Sequence, residues 1–327
     1  MGQVLSGFTV VWVIIGVGML VGRTGVLGPE ARPVLSRAAF FIGSPALLFT
    51  TLATADVGAV LGPQLGVAAS SGLLCAALHM GLSRLLLPRR ANSERIIHGL
   101  SASMVNSANL GLPVAAYVFG DAALAAPVIL FQLALYTPLY ITALEATLSA
   151  ESARAPDGVP AAGPTPFSRR RRVLRQLAQT GRNPLIIGSL GGLVVSLTGW
   201  GLPDPLWDSI ELIGGLSIPA MLIAFGMSLV GSRPLRRAEG RLPDTLLAAG
   251  CKLVLHPLAA WTIAAQVFAL SGQDLLVAVV LACLPTAQNV YVAAVRYETG
   301  EVVAKDAVLL TTVLAIPVMV GAAAALG

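Results

Sequence analysis

The feature that most constrains this chain is a succession of apolar runs, each about 20 residues long, set apart by short clusters of Gly, Pro and charged residues. About 20 apolar residues make a helix long enough to cross the hydrocarbon of a bilayer. In lipid every backbone N–H and C=O must be satisfied internally, which leaves helices and closed barrels as spanning structures. The runs are continuous rather than alternating, so they predict helices, near 4–22, 34–54, 63–87, 97–119, 122–149, 183–200, 206–230, 244–270, 274–296 and 302–326. Only 11% of the 327 residues are charged, against about a quarter in soluble domains. The expected class is an all-α multi-pass membrane protein with ten spans, in contact with a lipid bilayer along its length.

Positively charged residues collect in cytoplasmic loops. Arg23, Arg32 and Arg37 follow or flank the first span, and Arg84, Arg89, Arg90 and Arg95 the third. Arg154, Arg169 to Arg172, Arg175 and Arg182 follow the fifth; Arg233, Arg236, Arg237 and Arg241 the seventh; Arg296 and Lys305 flank the last connection. That is twenty of the 21 basic residues on one side. The opposite connections carry Asp56, Asp121, Asp204, Asp208 and Asp274. Both termini are therefore expected outside the cytoplasm, in a cell inner (plasma) membrane protein. The first run, Val4 to Val21, has no basic residue before it, so it is expected to be retained rather than cleaved. The pI of 9.5 reflects this topology, and the arginine run at 169–172 anchors an inside loop, so no nucleic-acid partner is implied.

One long connection, 150–181, is rich in Pro, Gly and Ala and reads as a cytoplasmic linker. It divides the chain into a first five-helix unit, 1–149, and a second, 182–327. The halves resemble each other: "SPALLF" at Ser44 matches "IPAMLI" at Ile218, pairing Pro45 with Pro219 at an offset of 174. "GDAALAAPVIL" at Gly120 matches "GEVVAKDAVLL" at Gly300 at an offset of 180, which sets Asn109 opposite Asn289, and His79 pairs with His256 at 177. Five spans is an odd number, so the second unit enters the membrane upside down relative to the first. The expected architecture is two inverted five-helix repeats.

The fourth run contains Asn106, Asn109, Gly111 and Pro113; the ninth contains Pro285, Gln288 and Asn289. Proline removes a donor and disrupts a helical hydrogen bond, and carboxamides offer substitute partners. Both spans are expected to break near mid-membrane, with Pro113 opening the second half of the fourth. Prolines are common in membrane helices for purely structural reasons, but interruptions at equivalent places in an inverted repeat point to a transport site. Where two broken helices cross, half-helix N-termini present unpaired N–H groups and partial positive charge, which suits a carboxylate. Asn109 and Asn289 are the first candidates for substrate binding, with Asn106, Gly111, Pro113, Pro285 and Gln288 beside them.

"NSANLGLP" and "LPTAQN", followed by "YVAAVRYETG", resemble the auxin efflux carrier family, which includes plant auxin carriers and bacterial permeases for malate- or malonate-like acids. The resemblance extends over the whole chain. It implies a fold similar to sodium/proton antiporters and bile-acid symporters, with two crossed broken helices, and carries the family's crossover residues onto Asn109, Gly111, Pro113, Pro285 and Asn289. The cytoplasmic loop is far shorter than in long-loop plant members, so their regulation by phosphorylation is not implied.

Lys252 stands apart as the one basic residue away from the inside face, one turn before His256. An intramembrane charge is a functional candidate: it can counter a substrate carboxylate, relay a proton with His256, or bond carbonyls freed by Pro257. His79 reads as a structural hydrogen bonder, Glu145 and Glu211 as interfacial, and Tyr136 and Tyr140 as packing residues. Cys75, Cys251 and Cys283 lie in apolar runs and suggest neither a disulfide nor a metal site; no cofactor is implied. Motifs for an intramembrane hydrolase or protease are missing from the sequence, so it does not read as an enzyme. The expected function is a secondary transporter of small organic anions, working by alternating access. A sodium- or proton-coupled carrier and a non-transporting membrane sensor are the alternatives; a coupling ion and a homodimer are candidate partners.

Overall fold

The computed structural model describes residues 2–152, 178, 181–230 and 240–326. Among them every regular element is a helix, and the one β-type contact is an isolated antiparallel bridge between Val105 and Thr286. The helices are α1 (Gly2–Thr24), α2 (Ala31–Ala53), α3 (Pro63–Leu86), α4 (Asn92–Ser103), α5 (107–118), α6 (Ala122–Glu151), α7 (Pro184–Thr198), α8 (Asp204–Leu229), α9 (Leu242–Gln266), α10 (Gly272–Ala282), α11 (Gln288–Arg296) and α12 (Glu301–Leu326). Seven of these helical stretches are long and apolar enough to cross a membrane: α1 from Ser6, α2, α3, α6, α8, α9 and α12.

The three other expected runs are not long unbroken helices. The run at 183–200 is α7, of 15 residues, ended by Gly199 in the left-handed conformation at φ 65°. The runs at 97–119 and 274–296 are each two short helices joined by non-helical backbone, α4 to α5 and α10 to α11. The linker expected over 150–181 lies mostly outside the described residues, as do Arg154, Arg169 to Arg172, Arg175, Arg233, Arg236 and Arg237.

Four helices widen into a single π turn: Ala39–Gly43 in α2, Ser107–Gly111 in α5, Phe131–Tyr136 in α6 and Cys251–Leu255 in α9. Each π turn ends two residues before a proline, respectively Pro45, Pro113, Pro138 and Pro257. A proline ring collides with the carbonyl four residues back and offers it no N–H. Inserting one extra residue into the turn moves that carbonyl aside and keeps the helix continuous.

The helices pack as two groups. In one, α1 lies along α8 while α2 is held between α7 and α8; in the other, α3, α4, α6, α9, α10 and α12 pack together. α5 bridges them, touching α1 and α8 on one side and the start of α6 on the other. The first group closes on small residues. A Cβ on Gly226 would collide with the Ile15 carbonyl, one on Gly18 with the Ile223 carbonyl, and one on Gly188 with the Pro45 carbonyl. Without a hydrophobic drive between helices in lipid, such close backbone approach is a main source of packing energy. At one end of the second group, Arg90 donates Nε and Nη2 to the two oxygens of buried Asp244 at 2.9 and 2.8 Å, and Arg241 pairs with Glu94. These pairs fasten the connection before α4 to the start of α9. The hydrogen bond to Asp244 raises the Arg90 guanidinium above its ordinary value, so this partner keeps its charge.

Candidate functional site

The two interrupted spans cross at their breaks and are stitched together by backbone. Asn106 N donates to Pro285 O at 2.8 Å, and Ala287 N donates to Met104 O at 3.0 Å, on either side of the Val105–Thr286 bridge. Breaking two helices frees carbonyls that lipid cannot satisfy, and side chains take several of them. Thr286 Oγ1 donates to Ser101 O at 2.6 Å, while its own N–H is received by Thr311 Oγ1 at 3.0 Å. Cys75 Sγ donates to Ala102 O at 3.2 Å, at the end of α4. Lys252 Nζ donates to Ala282 O at 2.7 Å, at the end of α10.

The break in the fourth run lies at Met104 to Asn106, seven residues or more before Pro113. Pro113 instead sits at the second residue of the α-helical part of α5, after the π turn. The expectation that it opens the second half is thus displaced: α5 starts at Ser107, because the non-helical backbone from Met104 to Asn106, with Ser107 N donating to Val105 O at 2.8 Å, already turns the chain. Asn109 consequently lies inside the first turn of α5. Pro285 does fall within its break. Gly111 faces the opposing break, where a Cβ would stand 3.3 Å from Leu284 Cδ1.

Asn106, Asn109, Asn289 and Gln132 line one cavity together with Phe40 of α2 and Leu185 of α7. The walls therefore come from both helix groups. Asn106 is buried and its Nδ2 has no hydrogen-bond partner among the described residues. Such an orphan donor is costly unless a ligand or water takes it. Asn109 also borders an adjoining cavity that holds Gln288, Ser36 and Arg32. The two cavities thus extend from Arg32 to the crossing, with α5 and α11 directing their N-termini inward from opposite helices.

Lys252 does not line either cavity. It is fully buried, with Nζ 3.0 Å from His256 Nδ1 in addition to its bond to Ala282 O. His79, expected to be a structural hydrogen bonder, has neither ring nitrogen partnered and meets His98 edge-on at 6.4 Å between centroids. Its bonding role is not realised because at this separation the ring nitrogens of the two imidazoles are out of hydrogen-bond reach. Tyr136 packs as expected, stacked on Phe131 with centroids 5.2 Å apart and its hydroxyl 2.6 Å from Ser103 Oγ. Glu145 accepts from the Tyr297 hydroxyl at 3.2 Å. Sequence reasoning missed Gln132, Thr286 and Thr311. Gln132 carries a legible signal, the lone polar residue in "PVILFQLALY"; the two threonines resemble any others in apolar helices until their partners are seen.

A family model described as membrane transport protein matches residues 6–322. An "uncharacterized transporter" of Methanothermobacter thermautotrophicus is 26% identical over 309 residues, covering 94% of this chain and 93% of the relative. A "putative malonate transporter" of Rhizobium meliloti is 30% identical over 139 residues, covering 42% of each chain.

Proposed function

The chain belongs to the membrane transport protein family, that of the auxin efflux carriers, and from that footing we propose that it is a secondary transporter of small organic anions, with short carboxylates as the substrate class and alternating access as the mechanism. The observation that carries this reading is the cavity at the crossing. Four carboxamides line it, one with an unpartnered buried donor, and no acid is among its lining residues. Carboxamide N–H groups and the positive ends of α5 and α11 favour a carboxylate. Neither carries a fixed charge, so the anion is held without being trapped. The relative described as a malonate transporter is in keeping with a short dicarboxylate.

Alternating access needs two bodies that move around the site. Here the walls belong to two helix groups and the helix that bridges them, with Phe40 and Leu185 on one group, Gln132 on the other and Asn109 on α5. The proposed architecture is ten spans in two inverted repeats, the interrupted pairs α4/α5 and α10/α11 each counting as one. Contacts between positions one residue away from exact counterparts support it. Ser44 Oγ meets Ser217 Oγ at 2.8 Å across 173 residues, and Cys75 Sγ meets Cys251 O at 3.6 Å across 176. Residues close to a two-fold axis meet the neighbours of their counterparts, and these separations fall one short of the offsets of 174 and 177 that relate the halves.

The test is uptake of labelled malonate, acetate and indole-3-acetate into proteoliposomes, with and without sodium and proton gradients. Uptake of at least one acid by the wild-type protein, and its loss in Asn109→Ala and Asn289→Ala, is the expected result. Undiminished uptake in both variants removes the crossing as the site. Stimulation by one gradient alone identifies the coupling ion.

A further inference from the structure

A third cavity shares Val105 and Gln132 with the one at the crossing, so those two residues form a common wall. Its other polar lining groups are Gln64 and Ser71 of α3, Ser103 of α4 and His256 of α9. Gln64 and Ser71 stand seven residues apart on one face of α3, and Gln64, partly exposed in the first turn, marks the mouth. Its carboxamide donates to Asp274 O at 2.8 Å. The mouth is thus at the end of α3 opposite to Arg89 and Arg90.

The chemistry of this cavity is set from behind. Lys252 Nζ lies 3.0 Å from His256 Nδ1 and donates to Ala282 O. An ammonium has donors and no acceptor, so Nδ1 must accept. The imidazole then carries its proton on Nε2, the nitrogen that faces Ser71. Nε2 and Ser71 Oγ are 3.5 Å apart, the outer limit of a hydrogen bond, so this donor is only loosely engaged. No aspartate or glutamate is among the lining residues, and Lys252 is fully buried with a carbonyl and an imidazole for company.

We propose that this cavity is a second carboxylate subsite, in which His256 Nε2–H, the Ser71 hydroxyl and the Gln132 carboxamide receive the anion and Lys252 supplies the positive field. Gln132, common to both cavities, hands the anion between this subsite and the crossing. The inference goes beyond transport at the crossing, because it rests on α3 and α9 and can be examined without any transport measurement.

The experiment uses the purified full chain carrying Ser71→Cys, in detergent, with Thr24→Cys as an exposed reference. Rates of labelling are compared for the anionic sulfonatoethyl and the cationic trimethylammonioethyl methanethiosulfonates. At Ser71→Cys the anionic-to-cationic rate ratio is expected to exceed that at Thr24→Cys by about tenfold, the low end of focusing by a charged cleft. Malonate or acetate slows the labelling, and adding Lys252→Met abolishes both the preference and the protection. A ratio equal to the reference, no slowing by either acid, or an unchanged ratio after Lys252→Met overturns the proposal. If Ser71→Cys does not fold or react, Gln64→Cys at the mouth is subjected to the same comparison, and absence of anionic preference there is equally decisive against it. Failure of uptake by the wild-type protein would instead count against transport and leave this comparison intact.

Discussion

Thr286 shows how much a single residue is asked to do at a helix break. Its hydroxyl satisfies the Ser101 carbonyl from the other broken span, and its N–H is received by Thr311 of α12. Replacing it with valine keeps the shape and leaves one buried carbonyl bare, which costs about 1–3 kcal/mol. Thr286→Val is therefore expected to lower the thermal midpoint in detergent, while Thr286→Ser retains most of it; equal midpoints would mean that water replaces the hydroxyl. The carboxamides answer to a different measurement. A hydrogen bond to a charged group contributes about 1.5–3 kcal/mol, so Asn109→Ala or Asn289→Ala should reduce kcat/KM for the transported acid by roughly ten- to a hundredfold. Their midpoints should scarcely move, because these side chains face a cavity rather than a packed neighbour.

At the scale of elements, prolines and glycines fix where the helices bend and how closely they approach. The π turn of α5 places Asn109 one residue out of phase with a regular helix. One residue corresponds to about 100° of rotation. Pro113→Ala restores the missing N–H and removes the reason for the extra residue, so it should turn Asn109 away from Asn289 and lower uptake with little loss of stability. Unchanged uptake would mean that the break itself, and not the proline, sets the phase of α5. Close approach is tested by two glycines of contrasting surroundings. A Cβ on Gly226 would strike the Ile15 carbonyl, whereas one on Gly16 meets nothing within 4 Å. Gly226→Ala should cost about 1–3 kcal/mol through overpacking, read as a lower midpoint, and Gly16→Ala should be neutral.

At the scale of the molecule, the charge distribution predicts the orientation. Arg90 and Arg241 meet at one end of the helices, paired with Asp244 and Glu94, whereas Gln64 at the other end of α3 meets the Asp274 connection. In intact cells an impermeant thiol reagent should reach Gln273→Cys, and reach Arg89→Cys only after permeabilisation. The reverse pattern would invert the assignment and, with it, the side on which each cavity opens. Under the proposed alternating access, a site walled by both helix groups is the place where relative motion changes exposure.

The membrane class, the helical architecture and the two interruptions were legible in the sequence, because lipid forbids unsatisfied backbone and so forces long apolar runs wherever the chain crosses. Proline and asparagine within such runs are costly enough to be informative, and Asn106, Asn109 and Asn289 do meet in one cavity. Which carbonyl each freed donor finds was not legible. The break in the fourth run falls at Met104 to Asn106 rather than beside Pro113, because backbone pairing with the opposite break, through Asn106 and Ala287, replaces the lost helical bonds. Lys252 could be recognised as exceptional from its position, yet only the folded chain decides that its ammonium ends α10 and orients His256 instead of facing the asparagines. Hydropathy and backbone demand are properties of a local stretch and can be read along the chain, whereas the partner of a polar group depends on residues 30 to almost 200 positions away that only tertiary packing brings within reach.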